Sequence, residues 1–169
     1  AMPYACSIWS PLRILRRVAL VGALVLLAAG PVSAITMAND PQGYRDLHWG
    51  VSLAGIPDLT VTRENTHTID YEFRDRPPMY ADIPVERVHL STVDAQFARV
   101  TIRYHGAQAH KQVLHYLEQT YGAIERLPGQ MMRGLNQQYT WRGTETEITL
   151  TYEANRDRGF LFIESRNLA

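Results

Sequence analysis

Residues 107–122 read AQAHKQVLHYLEQTYG. Ala109, Val113, Tyr116, Leu117 and Thr120 recur there at the spacing of one helix face. His110, Lys111, Gln112, His115, Glu118 and Gln119 cover the rest of the circumference. The pattern predicts one amphipathic helix over about 107–121. Gly122 stands where a left-handed C-terminal cap is wanted, since it has no Cβ to clash there. On both sides of this stretch the apolar period changes to two. The helix is therefore expected to lay its stripe across a sheet.

Upstream, Leu59 to Arg63 reads as a strand and Glu64-Asn65-Thr66 as a turn. Ile69, Tyr71 and Phe73 alternate with Asp70, Glu72 and Arg74, the pattern of a half-buried strand. Pro77-Pro78 ends it, because proline donates nothing to a ladder. A weakly patterned loop runs to Pro84. Val88, Leu90 and Thr92 then alternate with Arg87, His89 and Ser91, and Asp94-Ala95-Gln96 reads as a turn. Ala98, Val100, Ile102 and Tyr104 form the return strand, with Arg99, Thr101 and Arg103 toward water.

Downstream, Ala123 to Leu127 is a candidate strand, and Pro128-Gly129 with Gly134 bounds a flexible loop. Tyr139 and Trp141 belong to one strand, Ile148, Leu150 and Tyr152 to the next, and Gly143-Thr144 turns between them. Phe160 to Ser165 is the last strand, more apolar than the others. These elements predict an α+β fold, an antiparallel sheet packed against one main helix. Every strand pair can be joined by hairpins, so no parallel crossover is required. Each half reads as a helix or turn followed by about four strands, an outline compatible with a duplicated helix-plus-four-strand unit despite weak residue identity.

Ahead of the domain, Arg13, Arg16 and Arg17 precede the unbroken apolar run Val18 to Ala29. Gly30-Pro31 breaks the run, and Val32-Ser33-Ala34 follows. A basic region, a short apolar core, a breaker and a small-x-small end make a secretory signal peptide over 1–34. As a helix the run covers about 18 Å at about 1.5 Å per residue, short of the roughly 30 Å hydrocarbon core of a bilayer. Residues 35–43, with Pro41 and Gly43, are expected as a flexible lead-in, and 44–169 as a single domain. Tyr44, Leu47 and Trp49 are the apolar anchors where it opens. Ser52 is placed to cap a short helical turn that Pro57 ends.

Lys+Arg and Asp+Glu each number 17 over the whole chain, so removing the three leader arginines leaves a slightly acidic domain. Nucleic acid wants a basic footprint and is excluded as a partner. So is electrostatic attachment to a membrane surface. The single cysteine, Cys6, lies in the leader, so the domain holds no disulfide and no lipid-attachment thiol.

Catalytic patterns are thin. His110 and His115 are five residues apart, about 140° around a helix, and do not converge as a metal pair would at i and i+4. Both are expected on a solvated helix flank. Ser52, Ser91 and Ser165 lie in no G-x-S-x-G elbow. His89, Ser91 and Asp94 are close in sequence, but His89 and Ser91 share one strand face, a common solvated pattern. Glu145 and Glu147 share a strand face without a cleft between them, on a hairpin read as an edge. Gly-rich nucleotide loops are absent. No catalytic, cofactor-binding or metal role is assigned. Tyr71, Phe73, Tyr104, Tyr139, Trp141, Tyr152, Phe160 and Phe162 fall in strands and are expected mainly in the core, with a few lining an exposed sheet face.

Tyr44-Arg45-Asp46-Leu47-His48-Trp49-Gly50 resembles the F-R-x-I-x-W-G-like opening of small exported bacterial proteins of unknown function. Tyr139 to Gly143 and Ile148 to Leu150 look like the same group. The resemblance implies an exported α+β domain and carries no catalytic residues. The order of elements is also similar to β-lactamase-inhibitor-protein-like and outer-membrane-assembly lipoprotein-like folds, although the lipid-attachment Cys of the latter is missing.

The function expected is a non-enzymatic periplasmic or secreted binding domain that takes a protein or a small apolar ligand on one sheet face. The alternative is an envelope hydrolase or metal-dependent enzyme using His89, His105 or His110.

Overall fold

The computed structural model describes residues 34–124 and 136–169. In chain order the elements are β1 (Ile35–Thr36), β2 (Gly43–Tyr44), β3 (Leu47–His48), β4 (Leu59–Glu64), β5 (Thr68–Phe73), β6 (Met79–Tyr80), β7 (Ile83–Pro84), β8 (Arg87–Val93), β9 (Gln96–His105), α1 (Ala107–Tyr121), β10 (Asn136–Arg142), β11 (Thr146–Glu153) and β12 (Arg158–Ser165). The fold is α+β: among the described residues, one large sheet, two two-stranded hairpins and one helix.

Eight strands form that sheet in the order β1-β10-β11-β12-β9-β8-β5-β4. The meander β4-β5-β8-β9 and the meander β10-β11-β12 meet where β9 pairs with β12, at the centre. Among the described residues every pairing is antiparallel but one: β1 runs parallel to β10. The all-antiparallel expectation is corrected there. The hairpin carrying Glu145 and Glu147 is also not an edge, because β11 lies between β10 and β12.

Period-two alternation sorts the side chains onto two faces. Leu90, Val100, Ile102, Tyr104, Ile148, Leu150 and Leu161 are fully buried on one of them. Val113 and Leu117 of α1 are equally buried, each contributing about 1.5–3 kcal/mol of transfer free energy. The helix face differs from the expected stripe at its start: His110, not Ala109, is buried ahead of Val113 and Leu117. Gly122 has φ 129 and ψ 144, an extended positive-φ conformation open to glycine, in place of the left-handed helical cap. Its carbonyl accepts Trp141 Nε1–H at 2.8 Å, which ties the helix end to the sheet.

Residues 35–43, expected as a flexible lead-in, are hydrogen-bonded to the sheet and to the end of α1. Met37 N–H donates to Arg142 O at 3.0 Å and Ala38 N–H to Tyr121 O at 2.9 Å. The Asp40 carboxylate accepts Glu145 N–H at 2.8 Å and Thr146 N–H at 3.1 Å. The polarity of the segment suggested mobility, but those polar groups are the partners of backbone donors 105 and 106 positions away. Two further expectations change. Ser52 Oγ accepts Ala54 N–H at 3.3 Å in a turn, with no helix following. The loop before Pro84 contains the β6–β7 hairpin, whose Tyr80 and Ile83 are buried. Ala123 and Ile124 are not strand. The rest of that candidate strand and the loop through Gly134 lie outside the described residues.

Candidate functional site

The second face of the sheet reaches solvent. Its residues line up across the strands in rows that the registers define. One row runs Asp70, Ser91, Arg99, Glu164, Glu147, Arg142. The next runs His89, Thr101, Phe162, Thr149, Thr140. A third runs Arg87, Arg103, Phe160, Thr151, Gln138. Nearly all of them are half-buried or exposed, while most of their neighbours along the central strands β8, β9, β11 and β12 are buried.

Charges on this face are paired with one another. Arg99 bonds Glu164 and Arg142 bonds Glu147, each at 2.5 Å. Ser91 Oγ–H donates to Asp70 at 2.6 Å. Glu72 accepts from His89 at 2.5 Å and from Arg87 at 3.3 Å, and Glu86 from Arg103 at 2.7 Å. With its charges matched in this way the face presents no large field of one sign. At the centre are Phe160 and Phe162, rings stacked with centroids 6.4 Å apart, flanked by threonines. The expectation that aromatics are mainly core holds for Trp141 and Tyr104 but not for these two. Their signal was in the sequence: Phe160-Leu161-Phe162-Ile163 is apolar on both parities, yet each flanking strand is apolar on one.

His89, His105 and His110 are not brought together. His89 and His105 lie on the open face, His105 four residues beyond the partner of His89 along β9, about 13 Å by strand rise. His105 stands 3.7 Å from Asp157. His110 is on α1, on the other side of the sheet. It is 6% exposed, which overturns its expected place on a solvated flank. Its ring stacks on Tyr152 at 3.9 Å, the Tyr104 hydroxyl donates to Nδ1 at 2.7 Å, and Nε2 lies 3.2 Å from Gln137 Oε1. Burial lowers its pKa below the model-compound value, partly offset by Gln137. Tyr104 passes over Gly159, its register partner, where a Cβ would fall 1.9 Å from Cζ. A glycine is required there for Tyr104 to reach the imidazole.

His89, Ser91 and Asp94 do not form a triad either: their partners are Glu72, Asp70 and His67. Glu147 is taken by Arg142, and Glu145 accepts Asn167 Nδ2–H at 3.1 Å. Among the described residues no group of three His, Cys, Asp or Glu side chains is placed to hold a metal ion. Among them, too, no helix is long and apolar enough to cross a membrane.

No family model matches the chain, and no curated protein or solved structure is significantly similar to it.

Proposed function

We propose that this is an exported, non-enzymatic binding domain that holds a partner protein on the open face of its sheet. The observation that carries the reading is the stacked Phe160–Phe162 pair, half-exposed at the middle of the sheet. Interfaces concentrate binding energy in central aromatic anchors surrounded by polar groups. The matched ion pairs around the threonines suit a protein surface of mixed charge and give no purchase to a polyanion. A protein fits better than a small apolar ligand, because an open sheet face supplies area and not enclosure. Export rests on the leader over 1–34, and kinship with the small exported bacterial proteins rests on the Tyr44-to-Gly50 opening. The two meanders meeting at β9 and β12, the first preceded by a turn and the second by α1, support an origin by duplication.

The test is capture from envelope extract on the immobilised full chain, wild type against a Phe160→Ser/Phe162→Ser double variant. A partner held by the wild type and lost by an equally folded variant is the expected result. The same bound set on both would end the reading.

A further inference from the structure

The leader read over 1–34 ends directly before β1. No spacer separates the bond a leader peptidase would cut, Ala34–Ile35, from the folded domain. Ile35 and Thr36 follow that bond, and both are in the sheet, Ile35 opposite Trp141 and Thr36 opposite Arg142. The Ile35 side chain packs at the helix end, its Cγ2 3.6 Å from where a Cβ on Gly122 would lie.

The residues that follow hold β1 in place. Met37 is buried, and its N–H donates to Arg142 O. Ala38 N–H donates to Tyr121 O, and Asn39 Nδ2–H to Thr120 O at 2.8 Å. The Asp40 carboxylate accepts Glu145 N–H and Thr146 N–H, and Pro41 O accepts the Thr146 hydroxyl. This short strand is therefore fastened to α1, to β10 and to the β10–β11 turn. A peptidase, by contrast, draws the chain around the scissile bond into its cleft as an extended strand. The cleft must surround that chain, and in the folded domain β10 lies against one side of Ile35 and Thr36. A docked β1 and a cleavable β1 are exclusive states of the same residues.

We propose that docking of β1 closes the Ala34–Ile35 bond to the peptidase, so that leader removal must precede docking. A chain cut first goes on to complete its sheet, and a chain that docks first keeps its leader. In the cut, the peptidase adds one water across the bond, leaving a carboxylate on Ala34 and an ammonium group on Ile35. The inference rests on the export reading and its leader over 1–34.

The experiment presents the full chain in detergent micelles to a purified bacterial leader peptidase. Product is followed by gel and its N-terminus sequenced. Chain diluted from denaturant straight into the enzyme should be cut after Ala34. Chain refolded beforehand should be cut at least about tenfold more slowly, the factor of one or two lost hydrogen bonds, at a rate set by local opening. Asp40→Ala removes the acceptor for Glu145 and Thr146 N–H, and lies beyond the small residues at 32 and 34 that such an enzyme reads. It should speed cleavage of the refolded chain about three- to tenfold. Asn39→Gly keeps the positive φ of 52 and removes the bond to Thr120 O, and should act in the same direction. Hydrogen exchange on the same samples separates opening of β1 from general unfolding: the Met37 and Ala38 amides should lose protection while Leu150, in central β11, keeps it. Refolded wild type cut as fast as the diluted chain, or both variants cut no faster than wild type, would overturn the proposal and leave the leader reading standing. Failure to cut either preparation after Ala34 would overturn that reading as well.

Discussion

His110 shows how one side chain can link the helix to the sheet. Its imidazole fills the space between Tyr104 and Tyr152 and satisfies the Tyr104 hydroxyl, which burial would otherwise leave unpaired. Neutral imidazole is the form this site favours, because burial disfavours the cation. The sign of the pH effect follows. The unfolded chain takes up a proton near the ordinary imidazole value of 6.5, and the folded chain only at a lower pH. Between those two values the unfolded state binds more protons, so stability rises with pH in that window and is lost as pH falls below about 6.5. Denaturant unfolding of the wild type should weaken between pH 7 and pH 5.5, with this residue contributing at most about 1.4 kcal/mol per pH unit. His110→Phe should flatten the slope by that contribution. Equal slopes for the two proteins would show that His110 titrates alike in both states.

At the level of elements, α1 is held by a narrow contact. Val113 and Leu117 are its fully buried apolar residues, and the Trp141 bond to Gly122 O secures its end. Leu117→Ala should destabilise by about 2–5 kcal/mol, the cost of truncating a core leucine. Gln119, exposed on the far side, is the matched control: Gln119→Ala should cost under about 0.5 kcal/mol. Glu118 does not serve as that control. It is half-buried, and its Oε1 accepts Ile124 N–H at 3.1 Å beyond the helix end. Urea melts of Leu117→Ala and Gln119→Ala decide the matter, and equal effects would place the packing face elsewhere. The β8–β9 hairpin makes a similar point. Asp94 and Ala95 both have positive φ, the two-residue turn that matches strand twist, without the glycine that usually announces it.

For the molecule as a whole, the beginning of the domain is part of its sheet. Ile35 and Thr36 pair with Trp141 and Arg142, and Asp40 and Pro41 bond the β10–β11 turn region. The peptidase site read after Ala34 therefore falls directly before the first strand. N-terminal sequencing of protein recovered from the periplasm or medium should return Ile35 or a residue within one or two of it. An intact Met2 in the membrane fraction would show an uncleaved anchor, and a cytosolic full-length product would remove export.

The sequence by itself determined the helix, the seven strands of six or more residues, β4, β5, β8, β9, β10, β11 and β12, to within a few residues, and, for β5, β8, β9, β10 and β11, the division into two parities. Those features are local: periodicity, prolines and turn residues record which backbone forms and which side faces the core. Tertiary structure alone decided what depends on distant partners. The parallel β1, the buried hairpin around Tyr80 and the anchoring of residues 35–43 have little apolar pattern of their own, because backbone and carboxylate hydrogen bonds hold much of them. The same is true of the candidate sites. Phe160 and Phe162 look like core residues until the neighbouring strands show on which face none of the described elements packs. His110 looks solvated until Tyr104 and Tyr152 close around it.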